Sequence, residues 1–211
     1  MTVREFVSAY ENLHKQCSYY CRHLGHLKGL IENDDWVRVV DGSTSGRVLL
    51  LGNSEVINAL VLFNTRMFDT GKDTISIHRL ARYLPDETEI ERHHKEIMGE
   101  IGFEYELKRH YTARCEFIQA RRRLVKDNTQ RALRSLRDYT LAHNIEPETE
   151  PRKATLNDLV HLTEAVNELV DLAGYVVRGS RSVYRDFADK AERETKMLYA
   201  ALPKLTDIET A

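Results

Sequence analysis

Apolar residues at the start of this chain recur at steps of three and four: Val3, Phe6, Tyr10, Leu13, Cys17, Tyr20, Leu24, Leu27 and Ile31. On a helix such a rhythm gathers every apolar side chain onto one stripe, whereas on a strand it scatters them to both faces. Residues 2–32 are therefore predicted to form one helix laid against a partner. A second stripe, Leu159, Leu162, Val166, Leu169, Val170, Ala173 and Val177, follows Thr155-Leu-Asn-Asp158, which has the form of a capping box, and ends at Gly179-Ser180. Residues 48–69 are apolar nearly all round, the mark of a helix central to a core.

The segments between read as helices and breaks. Ile75 to Leu84 is predicted as a short helix stopped by Pro85. Residues 86–126 are charged with a sparse apolar stripe. They would reach ~60 Å as one helix, with Gly99 and Gly102 placed to bend it. Asp127-Asn128-Thr129 gives a break and a cap for a helix over about 129–143. Asn144 to Pro151 is an acidic, proline-bearing loop, and a final charged helix spans roughly 182–200. With only 4 Pro and 10 Gly in 211 residues, a turn-rich β fold is disfavoured. The expectation is an all-α bundle of about five to seven helices in one domain, the last of them peripheral. The apolar faces of the first helix and of 156–177 are large enough that a homodimer burying part of them is expected.

Composition narrows the function classes. Hydrophobic residues at 42% and charged residues at 30% argue against general disorder. No stretch approaches ~20 uninterrupted apolar residues, and the first residues lack the apolar core of a secretion signal, so a membrane span is not expected. The 3 cysteines, at 17, 21 and 115, are odd in number and not closely paired, which suggests reduced thiols in the cytoplasm. Cys17 and Cys21 with His14 lack further ligands at matching spacing, so apolar packing is their better account. His93 and His94, with Glu89 and Glu96, project ~100° apart as neighbours on a helix and make a poor metal site. Net charge is −2, so nucleic-acid binding would have to come from a local patch.

One such patch exists. Arg121, Arg122, Arg123, Lys126, Arg131, Arg134 and Arg137 share a window with a single acid, Asp127. It reads either as a solvated helix face or as a phosphate-binding surface, for which arginine's planar fork is suited. Directly after it comes Leu136-Arg137-Asp138-Tyr139-Thr140-Leu141-Ala142-His143-Asn144. A histidine at a helix C-terminus is held towards its protonated form and within reach of proton-transfer chemistry. Arg137 and His143 would lie ~120° apart around the axis and ~9 Å along it. A substrate lying across the helix end could touch both, or a second copy could complete the site. The bland alternative is a cap and surface ion pairs worth ~0–1 kcal/mol.

Arg137, Asp138 and His143 resemble the signature of HEPN domains (higher eukaryotes and prokaryotes nucleotide-binding), an Arg and polar residue followed after a short spacer by His. Together with Leu62-Phe-Asn-Thr-Arg-Met-Phe-Asp69 and Ser76-Ile-His-Arg-Leu80, the chain looks like the abortive-infection U-type branch over residues 1–180, the last helix less clearly. The resemblance implies a metal-independent, cofactor-free endoribonuclease acting as a homodimer, a toxin or antiphage effector. In that reading RNA supplies its own 2′-hydroxyl nucleophile. His143 serves as acid or base, Arg137 stabilises the phosphorane charge, and Asp138 orients one of them. Arg123, Arg131, Arg134 and Asn144 would bind the RNA, and the products would be a 2′,3′-cyclic phosphate and a 5′-hydroxyl. The other readings are an inactive HEPN-like scaffold binding RNA or a protein, and one half of a toxin–antitoxin pair with a regulatory partner.

Overall fold

The computed structural model describes residues 3–32, 44–71, 74–98, 103–126, 128–137, 154–179 and 184–209. Among these the chain is all-α, eight helices with no strand. The stripe that opens the sequence becomes α1, Val3–Ile31, with Phe6, Leu13, Cys17, Cys21 and Leu27 wholly removed from solvent. Both cysteines pack as small apolar groups, and burial pushes the Cys17 thiol up, away from thiolate chemistry.

The second helix, α2 (Thr44–Met67), divides into two halves. Leu60, Val61, Phe63 and Met67 are buried in the core, as an all-round apolar helix predicts, whereas Val48 and Leu51 are two-thirds exposed. Among the described residues, 48–67 is the one helix long and apolar enough to cross a membrane by length and composition. Its inner half is nevertheless committed to protein contacts, with Asn64 Nδ2 donating to Thr163 Oγ1 at 2.8 Å.

The short helix α3 (Ile77–Arg82) starts at Ser76, whose side chain accepts from the Arg79 N–H. Within the long charged stretch two helices are described, α4 (Glu87–Met98) and α5 (Phe103–Lys126); Gly99 and Gly102, the expected bend, lie outside the described residues. Next come α6 (Asn128–Arg137) and α7 (Leu156–Arg178). The capping box at Thr155 and Asp158 forms in full, and Gly179 ends α7 in the left-handed region at φ 64°, where a side chain would be strained. The last helix, α8, runs Tyr184–Glu209.

The helix α1 lies against α8, α7 and α2; α7 packs on α5; and α6 rests on α2 and α7. Close approach of α1 and α8 depends on glycine, since a Cβ at Gly25 would fall 2.1 Å from the Ala188 carbonyl oxygen. A buried polar tie adds to that interface. His26 hydrogen-bonds Thr195 Oγ1 through Nδ1 and Asn53 Oδ1 through Nε2, and Asn53 Nδ2 donates to the Tyr199 hydroxyl. His94 of the expected poor metal pair is buried against His110, ring centroids 4.8 Å apart, and His110 Nδ1–H donates to the Val176 carbonyl at 2.9 Å.

Candidate functional site

The arginine patch spans the end of α5 and the whole of α6. Three successive residues on a helix point ~100° apart, so Arg121, Arg122 and Arg123 cannot share one face. Arg122, Arg123 and Lys126 are exposed, while Arg121 turns inward and is half-buried. On α6, Ala132 and Leu133 bury the inner face and leave Arg131 and Arg134 on the surface. Arg134 lies one turn before Arg137, which occupies the last position of α6 and is half-buried and engaged by a neighbour. Asp138, His143 and Asn144 lie outside the described residues, as does the expected continuation of this helix to 143.

The half-buried Arg121 and the exposed Arg134 each reach another element. Arg134 Nη2 donates to the carbonyl of Phe68 at 3.4 Å, just past the end of α2, where helix carbonyls lack intrahelical donors. Arg121 Nη2 donates to Nδ1 of His78 on α3 at 3.4 Å. Accepting that bond leaves the His78 proton on Nε2. Burial, then the Arg121 and Arg134 guanidiniums, hold the His78 imidazole below its ordinary range. Arg121 Nε is buried with no hydrogen-bond partner. Among the described residues neither Arg121 nor Arg134 pairs with a carboxylate.

The structure thus seats Arg121 on His78, with Arg134 near enough to act electrostatically on the same imidazole and Arg137 one turn further along α6. Arg123 and Arg131 stand on the surface beside them without joining the cluster. His78 is the member that spacing alone could not supply, because 43 positions separate it from Arg121. Its only signal in the sequence was its place in the Ser76–Leu80 segment of the HEPN-like pattern. The cluster gathers donors and positive charge around one imidazole whose proton affinity is held below its ordinary range. That set can bind an anion and can offer or accept a proton.

A family model described as AbiU2, the HEPN_AbiU2 family, matches residues 2–198, and so extends into α8. No curated protein and no solved structure matches the chain.

Proposed function

The chain belongs to the AbiU2 family of HEPN domains, and from that premise we propose that it is an endoribonuclease cleaving RNA by attack of the substrate's own 2′-hydroxyl. The observation that carries the reading is the two guanidiniums that, among the described residues, have no carboxylate partner, Arg121 and Arg134, the latter one turn before Arg137, which precedes Asp138–His143 in sequence. Phosphodiester cleavage by an internal hydroxyl needs no external nucleophile. It needs a base for the 2′ proton, an acid for the leaving 5′-oxygen, and donors for the charge that collects on the phosphorane. His143 supplies one proton transfer, Arg137 the charge stabilisation, and Asp138 the orientation of its neighbours. Arg123, Arg131, Arg134 and Asn144 hold the strand.

The Asp138–His143 segment carries one histidine, and two proton transfers are required, so the proposal includes a homodimer in which a second copy completes the cleft. Exposed apolar side chains support self-association: Val48, Leu50 and Leu51 on α2, and Met197 and Leu198 on α8, two helices joined through Asn53 and Tyr199. The proposed place of action is the cytoplasm, where RNA is accessible and cysteines stay reduced.

The test is incubation of the purified, folded protein with total RNA and tRNA in EDTA. Cleavage is expected, and Arg137→Ala and His143→Ala should each lower its rate about a hundredfold or more, the scale of removing one transition-state donor. Expression in cells should arrest growth, and both substitutions should relieve the arrest. Intact RNA with folded protein, together with variants that behave like the parent in cells, would overturn the reading.

A further inference from the structure

We propose that His78, Arg121 and Arg134 form a phosphate-binding pocket that grips a backbone phosphodiester of an RNA strand beside the one being cut. The proposal takes its ligand from the nuclease reading above; the anion chemistry of the pocket stands on its geometry.

Three elements meet there. Arg121 enters from α5, Arg134 from α6 and His78 from α3. The Arg121 bond to His78 is long at 3.4 Å, and its Nε is buried with nothing to donate to. A guanidinium normally satisfies Nε and one Nη together against a planar pair of oxygens. Here both are aimed into the interior, one unpartnered and the other on the lone pair of a neighbouring imidazole. Arg134 has one donor committed to the Phe68 carbonyl at 3.4 Å. Among the described residues, the charged groups acting on His78 are these two arginines, from α5 and α6, and no carboxylate. The neighbouring Arg79 lines a different cavity, with Glu5 and Tyr83. Two cations crowding one imidazole is an arrangement that an anion relieves.

With the Arg121 side chain turned out from His78, a phosphate would accept from its Nε and Nη2 together and from Arg134. Released from Arg121, His78 Nδ1 is free to take a proton from solvent, so the ring becomes a third cationic donor. The lowered proton affinity of His78, set first by burial and then by the two arginines, agrees with this, since an anion offsets their charges. The exposed Arg122, Arg123, Lys126 and Arg131 continue the positive surface along α5 and α6. A line of cations of that length suits an extended polyanion better than a single small anion.

The experiment follows the His78 imidazole resonance by NMR, assigned with His78→Gln, while inorganic phosphate is added to the full chain. Saturable movement of that resonance and a rise in its titration midpoint are expected, and Arg121→Ala should abolish both. A short single-stranded RNA is then titrated into His143→Ala protein, which should leave the strand uncut. In that background Arg121→Ala or His78→Gln should weaken binding about five- to tenfold, and Arg121→Ala should reduce the salt slope by about one. A mononucleotide binding as tightly as the oligonucleotide would overturn the assignment to an RNA strand. A His78 resonance unmoved by both phosphate and RNA, in protein whose helix content and melting are normal, would overturn the pocket. Phosphate response without any RNA cleavage by the parent chain would instead remove the nuclease reading and leave the pocket standing.

Discussion

Arg121 and Arg122 are neighbours in sequence and differ in fate, one half-buried against His78 and the other in solvent. The sequence showed where arginines are concentrated, because charge density is a local property. It did not show which of them turn inward, because that depends on α3, which arrives from far along the chain. The consequence is a conflict between stability and binding at a single residue. A half-buried guanidinium with no counter-ion is desolvated without full compensation, so an apolar side chain of similar length should pack there with less cost. Arg121→Met is expected to raise unfolding free energy by about 1 kcal/mol while weakening RNA binding. Urea denaturation and a salt-controlled binding titration measure the two effects. Arg122→Met, at an exposed site, should change stability by no more than about 0.5 kcal/mol. A loss of stability in Arg121→Met would mean that the guanidinium is better satisfied than its geometry indicates.

At the scale of elements, termini were readable where they use local chemistry. Thr155 and Asp158 form their capping box, and Gly179 closes α7 in the left-handed region. The outer half of α2 was not readable, because an apolar pattern records what a helix could bury and not what stands opposite it. Gly52 shows this directly, with nothing within 4 Å of the Cβ it lacks, whereas the Cβ missing from Gly25 would strike the backbone of α8. The same substitution should therefore act in opposite directions. Gly52→Ala removes only the helix penalty of glycine and should stabilise by about 0.5–1 kcal/mol. Gly25→Ala must push α1 from α8 and should destabilise by about 1–3 kcal/mol. Thermal melting of the two variants side by side checks the pair; a common sign would contradict the packing described for α1 and α8.

Across the whole molecule, several histidines share one electrostatic situation. His14, His23, His78 and His93 are each held below their ordinary value of 6.5, with burial the leading cause in every case. A group whose folded proton affinity is depressed is protonated more readily in the unfolded chain. Its contribution is present above 6.5 and is lost as pH falls through the folded value. Stability should thus be greatest above pH 6.5 and decline on acidification, before carboxylates such as Glu192, held below its ordinary 4.5 first by its hydrogen bond to Lys196, begin to contribute. Urea midpoints at pH 7.5 and 5.5 measure this, and a higher midpoint at the lower pH would contradict it.

The all-α class and the run of helices were legible from apolar periodicity; a short motif singled out Arg137, which the structure places at the end of α6. His78 was not, since its role comes from tertiary proximity to arginines on α5 and α6. The central claim is the RNA cleavage proposed for Arg137 and His143, and the ends left on the RNA test it most directly. When the folded protein acts on RNA in EDTA, the account predicts fragments carrying 2′,3′-cyclic phosphate and 5′-hydroxyl termini, absent with Arg137→Ala. Fragments with 3′-hydroxyl and 5′-phosphate ends, or RNA left uncut, would contradict it.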